Sequence, residues 1–440
     1  MFLNVIGIAN QMLCTILEGD KENVGIMPQV RKPRNPKPSR GFKWDETDVN
    51  ILKDFFDKIP KAPGHYCRKD SSKIYLTSVV KTMAKLYDIY KARCRALNRD
   101  SFGIKKFVTY FNDNNYSLFK RKKDNCNTCI GYEEGNVSQH DFDEHQALKT
   151  DGFNRKEEDK ESADGKTIFV ITADTESLLT APHNDANIMF FHSKLNLHNF
   201  TFYDLKTREV MNFLWNETNG EIESNNSTSC YIAYLEELIE AHRNAKKIIL
   251  WSDGCTYQNR CSTLASALLQ LCVNYKVELQ QKYLEVGHTH MECDSVHSNI
   301  EKALKNTKIN LPSDYIQVIE NARKSKPGKY GVRYLDFTFF RDFKSISDIK
   351  SLKPTKETGY PFVTNIRQLW YKPDGTIYSN LTYDDNEWKP LPHKIKLRSL
   401  TPHLYKEHLK ISAVKYGHLQ DIKRTIPSDA HSYYDNLLHV

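Results

Sequence analysis

Between residues 167 and 306 the apolar residues switch repeatedly from period two to helical spacing, and the order of the switches leaves few topologies open. Residues 167–173, TIFVITA, are a β-branched apolar run too short for a helix, which predicts a buried strand closed by Asp174. Segments 187–195 and 197–205 are aromatic and β-rich, and 210–215 extends the same antiparallel ribbon into a three-stranded meander. From Ser229, the residues Ile232, Leu235, Leu238 and Ile239 mark an amphipathic helix. A central strand, KIILWS, then runs into Asp253. Leu264, Leu268, Leu271 and Cys272 mark a second helix, VELQQKYLE a strand, and residues 291–306 a last helix. Strands alternating with helices predict an α/β fold, a mixed sheet covered on both faces.

Asp174 and Asp253 each close a strand, and ligands in open α/β sheets bind beyond the carboxyl ends of strands. Taken singly, a strand-end aspartate is a turn or capping residue. Two bare carboxylates side by side raise at least one pKa unless a cation neutralises them. Oxygen-only ligands favour Mg²⁺ or Mn²⁺, and a metal pair about 4 Å apart can activate water and stabilise a leaving oxygen at phosphorus. Asp294, His297 and Glu301 share one face of the last helix at i, i+3 and i+7. Asp294 is the favoured third ligand, with His297 orienting it or meeting scissile phosphate and Glu301 in reserve. Glu176, two residues past Asp174, is a further candidate.

A second metal site is expected upstream. Cys126 and Cys129 form a CxxC, flanked by His65 and Cys67 and by His140 and His145, enough donors for one tetrahedral zinc.

The strings ILWSDGCTYQNR (249–260) and YLEVGHTHMECDSVHSNIE (283–301) resemble the hallmark segments of a family of transposon-derived RNase H-like proteins of animal genomes. The family pattern falls on Asp253, Cys255, Gln258, Asn259, Gly287, His288, Thr289, Asp294, His297, Ile300 and Glu301. GHYCR (64–68) and KKDNCNTC (122–129) match as well. More distantly, DSVH (294–297) is similar to the acid-x-x-His of some DDE-type transposases, in which a later glutamate is the third ligand; that points to Glu301. Where the family tends to carry Asp-Leu-Gln, this chain has Asp174, Thr175 and Glu176. The resemblance implies an RNase H-like catalytic domain, a DNA partner, a nuclear location and a homo-oligomer that synapses two DNA ends. A longer segment precedes this point in the family, so a truncated start is expected.

The expected organisation is an N-terminal helix and basic linker (1–58), a mainly helical DNA-binding region (59–155), a linker (156–166), the catalytic domain (167–306) and a C-terminal α+β extension (307–440). A net charge of +8 and basic clusters at 31–40 and 119–123 suit phosphate contacts. The apolar start lacks the positive flank and cleavage site of a secretory signal, and no window approaches a bilayer span. Ten cysteines without a small-domain framework suggest free thiols in a reducing compartment. Trp370, Tyr371 and Trp388 amid lysines read as core or edge packing before base-stacking platforms. Two function classes follow: a metal-dependent DNA nuclease or strand transferase, and a domesticated factor that keeps the fold and binds without cutting.

Overall fold

The computed structural model describes residues 46–59, 61–62, 74–76, 82–118, 126–256, 258–305, 307–354, 361–391 and 401–440, which fall into two compact units. The basic clusters at 31–40 and 119–123 and the apolar start lie outside the described residues.

The first unit holds helices α1 (Glu46–Asp57), α2 (Met83–Ala96) and α3 (Ile104–Asp113), with short strands β1 (Lys61–Ala62), β2 (Ile74–Leu76) and β3 (Tyr116–Leu118). Leu52, Phe55 and Phe56 on α1, Leu86 and Tyr90 on α2, and Phe107 and Phe111 on α3 recur at helical spacing and meet in one aromatic core. Phe56 stacks against Tyr116 at 5.2 Å and lies 5.1 Å from Phe107.

The second unit begins with α4 (Asn127–Glu133) and the long α5 (Gln139–Ser162). Lys156–Ser162, expected as linker, form the last turns of α5, because Lys156 and Asp159 are buried and paired rather than solvated. Then come β4 (Ile168–Thr175), β5 (Leu179–Ala181), β6 (Leu195–Asp204), β7 (Val210–Asn216), α6 (Ser224–Ala241), β8 (Lys247–Ser252), α7 (Ser262–Tyr275), β9 (Glu278–Tyr283) and α8 (Glu292–Leu304). The expected β-rich segment 187–195 is instead a helical turn, Ile188–Phe191, leading into β6; the Asn184 side chain accepts from the Ala186 amide and starts a turn there.

The remainder supplies α9 (Asp314–Glu320), β10 (Gly331–Tyr334), β11 (Gln368–Tyr371), β12 (Ile377–Asn380), β13 (Lys389–Pro390) and α10 (Ala413–Ile422). All strands from β4 onward join one mixed, ten-stranded sheet in the order β10-β7-β6-β4-β8-β9-β11-β12-β13, with β5 beside β6. Residues 307–440 are therefore no separate extension: β10 adds to one edge, parallel to β7, and β11–β13 to the other. The β11–β12 hairpin turns at Pro373-Asp374-Gly375, with Gly375 at φ +85°. Tyr371 is fully buried, its hydroxyl donating to Gln281, and Trp370 and Trp388 pack on each other at 5.5 Å.

Strands β4, β8 and β9 run parallel, while β6 runs antiparallel to β4. Period two divides β4 between layers: Phe169, Ile171 and Ala173 join α6 and α7 in the main core, whereas Val170 joins Ile249, Trp251 and Leu284 on the other face. Among the described residues no helix is long and apolar enough to cross a membrane, and the described cysteines are free.

Candidate active site and a cysteine–histidine centre

Asp174 follows Val170 and Thr172 in alternation along β4, and Asp253 follows Ile249 and Trp251 along β8. Thr172 is registered with Trp251, so each aspartate lies two residues beyond that pair, at the carboxyl ends of adjacent parallel strands and on one face. Helix α8 covers this face. Its Cys293 sulfur lies 3.5 Å from Thr172 Oγ1 and 3.6 Å from the Thr201 carbonyl, which seats the first turn of α8, where Asp294 stands, on β4 and β6.

The electrostatics report this convergence. Burial, then the charges of Asp253 and Asp294, push the Asp174 carboxyl up to about 8. Burial opposes ionisation of Asp294 too, but the His290 ring, the Met291 amide and His297 outweigh it and hold that carboxyl below its ordinary range. Asp294 is the capping-box acid of α8, its Oδ2 accepting from the Met291 N–H at 2.7 Å. Asp253 is fixed by Asn259, whose Nδ2 donates to its Oδ1 at 2.5 Å and to its carbonyl at 3.2 Å. The Tyr231 hydroxyl orients that amide by donating to its Oδ1. Gln258, buried, accepts from Thr175 Oγ1, which ties this loop to the end of β4.

Other expected residues sit differently. His297 is buried with Nε2 3.0 Å from Thr201 Oγ1, and burial lowers its pKa to about 4 despite Asp294. Its contact with Thr201 ties α8 to β6 close to Asp294. Glu301 is exposed and its charged neighbour is Glu176 rather than the aspartates. Glu176 is buried, accepts from Asn199 Nδ2 at 2.8 Å and is pushed up to about 7, first by burial. Its Oε1 has no partner among the described residues.

A second constellation lies at the base of α4 and α5. Cys126, Cys129, His145 and His288 bring four ligand atoms within 4.8 Å of one another. Cys126 Sγ is 3.2 Å from His145 Nε2, Cys129 Sγ is 3.3 Å from His288 Nε2, and the two Nε2 atoms are 3.1 Å apart. Of the expected zinc donors, Cys126, Cys129 and His145 come together. His140 is exposed beside Asp141, and His65 and Cys67 lie outside the described residues. The fourth donor, His288, stands in the Gly-His-Thr string of the β9–α8 loop, a motif visible in the sequence but without an assigned role.

A family model, "Domain of unknown function (DUF7869)", matches residues 193–358, a span that includes Asp253, His288 and Asp294 and stops short of Asp174. No curated protein sequence matches the chain.

Proposed function

We propose that the chain is an RNase H-like, transposase-related protein that cleaves or transfers DNA strands, acting in the nucleus, with Asp174, Asp253 and Asp294 as the ligands of Mg²⁺ or Mn²⁺. The carrying observation is that Asp174 and Asp253 each lie two residues beyond the registered pair Thr172–Trp251 of adjacent parallel strands, with the charges of Asp253 and Asp294 both acting on Asp174. The order of five central strands, an antiparallel meander followed by two parallel crossovers, supports the RNase H-like reading.

The donor set suits hard divalent cations by its chemistry: three carboxylates, of which Asp174 is pushed up to about 8 by burial first and then by the charges of Asp253 and Asp294, so that a bound cation would favour its ionised form. When bound, the metal pair would polarise phosphorus and generate hydroxide at neutral pH. The chain's own residues supply position. Asn259 and Tyr231 fix Asp253, the α8 cap fixes Asp294, and His297 supports that helix from Thr201. In the reaction water attacks phosphorus, the P–O3′ bond breaks and the departing oxygen takes a proton; strand transfer substitutes a DNA 3′-hydroxyl for water.

The test is Mg²⁺- or Mn²⁺-dependent cleavage of labelled duplex and single-stranded DNA by the wild type, Asp174→Asn and Asp253→Asn. Cleavage lost in both variants supports the site. Cleavage retained in both overturns it, and DNA binding without cleavage by the wild type selects the domesticated binding factor.

A further inference from the structure

We infer that Cys126, Cys129, His145 and His288 bind one zinc ion, and that this ion bolts the α4–α5 hairpin to the loop that leads into α8 and Asp294. The proposal stands on the Cys/His geometry and is independent of the carboxylate chemistry above.

The four donors have the composition and closeness of a closed tetrahedral site. With Zn–S of about 2.3 Å and Zn–N of about 2.0–2.1 Å, the edges of such a tetrahedron are about 3.3–3.8 Å. The contacts of 3.1, 3.2 and 3.3 Å lie at or just below the lower end of that range, and all four ligand atoms are within 4.8 Å of one another. Two sulfurs with two imidazoles select zinc over hard cations, and four protein ligands leave no open position, as in a structural centre.

The surroundings are built for it. His145 Nδ1 is 3.2 Å from Glu285 Oε1, so its proton is directed there and the Nε2 lone pair faces the sulfurs. Arg367 in turn holds Glu285 at 2.7 Å, with both side chains nearly buried. Gln146 Nε2 donates to Cys129 Sγ at 3.2 Å, a second-layer contact suited to a thiolate. Gly287 stands at φ +78°, and a Cβ there would lie 2.8 Å from Cys126 Cβ and Sγ. Only glycine lets this backbone reach Cys126 and turn His288 toward it. From His288 the chain reaches Asp294 in six residues, through His290, whose ring is 3.4 Å from the Asp294 carboxylate.

The experiment measures metal in the full-length protein purified without chelator. One zinc per chain is expected, released by a mercurial thiol reagent. Replacement by Co²⁺ should give the intense visible bands of a tetrahedral ion with thiolate-to-cobalt charge transfer. His288→Asn should lose stoichiometric zinc, and Glu285→Gln should weaken it by about 10–100-fold against a competing chelator. Chelation should raise amide exchange in residues 126–146 and 284–294 while leaving β6 and β7 protected. A wild-type protein, kept reduced, that holds no zinc and gives no tetrahedral cobalt spectrum overturns the site. An unchanged cobalt spectrum in folded His288→Asn removes the fourth ligand. None of these readouts involves DNA cleavage.

Discussion

Lys282 Nζ sits 2.8 and 3.0 Å from the two carboxylate oxygens of Asp159, with the lysine fully buried and the two residues 123 positions apart. The pair crosses from α5 to β9, and Asp159 also accepts from Trp251 Nε1 at 2.9 Å and lies 3.4 Å from Arg155. Burial lowers the Lys282 pKa to about 8 even with Asp159 pulling it up. Removing the carboxylate should therefore cost more than removing the ammonium, because Asp159 would keep two partners and Lys282 none of comparable charge. Asp159→Asn is expected to lower unfolding free energy by about 3–5 kcal/mol, Lys282→Met by less, and the double change to apolar residues by little. Urea denaturation at pH 7 measures the series; equal losses for both single variants would contradict this assignment.

The Asp174 carboxyl gives the metal-free protein a pH dependence of definite sign. Its pKa rises from an ordinary 3.8 to about 8 on folding, through burial first and then Asp253 and Asp294. The folded chain thus binds a proton that the unfolded chain has released, so this contribution is full at low pH and lost as pH rises toward 8. The melting temperature without divalent metal should fall between pH 5 and 8 more steeply in the wild type than in Asp174→Asn. Added Mg²⁺ should flatten the wild-type slope. Identical slopes in the two proteins would show that Asp174 ionises normally.

Much of this site is legible in local sequence. The β-branched run ending at Asp174, KIILWS before Asp253 and the helical spacing around Asp294 each encode an element and its end, so the carboxylates follow from patterning. His288 does not, because its three co-donors are 143 to 162 positions away and only the closed chain juxtaposes them. Lys156 and Asp159 mislead for a related reason: their charge reads as solvated linker, while Glu292 and Lys282, distant in sequence, bury them in pairs. Segment 187–195 fails through tertiary override, as Asn184 bonds to Ala186 and to Thr425 and bends the chain out of the sheet.

Gly254, directly after Asp253, is enforced by packing. A Cβ there would lie 2.7 Å from Arg260 Cζ and Nη2, and Arg260 is buried, 4.5 Å over the Tyr283 ring, with Nη1 donating to the Thr364 carbonyl. The guanidinium is buried, so it must shift within the packing around it for a Cβ to fit. Gly254→Ala should cost about 1–3 kcal/mol by overpacking and shift Asp253 as the loop yields. Thermal unfolding checks the first effect, and a weaker Mg²⁺ dependence of cleavage checks the second.

Substitution of Asn259 separates a ligand role of Asp253 from that of a turn acid, because the Asn259 amide holds the Asp253 carboxylate. Its Nδ2 spans the Asp253 carboxylate and carbonyl, its Oδ1 takes the Tyr231 proton, and its own carbonyl accepts from Gln281 and Tyr283. The backbone bonds persist in Asn259→Ala, so the fold should hold while the Asp253 carboxylate loses its shorter partner and keeps the Cys255 N–H at 3.3 Å. Loss of an orienting partner of this kind costs about 10–100-fold in metal affinity or activity. Asn259→Asp should be worse, since it sets a second carboxylate where Asp253 had a donor. Tyr231→Phe, which leaves the amide in place but lets it flip, should fall between wild type and Asn259→Ala. The measurement is cleavage against Mg²⁺ concentration for all four proteins. A turn-only role for Asp253 predicts coincident curves, and a ligand role predicts half-saturation moving upward in the order wild type, Tyr231→Phe, Asn259→Ala, Asn259→Asp.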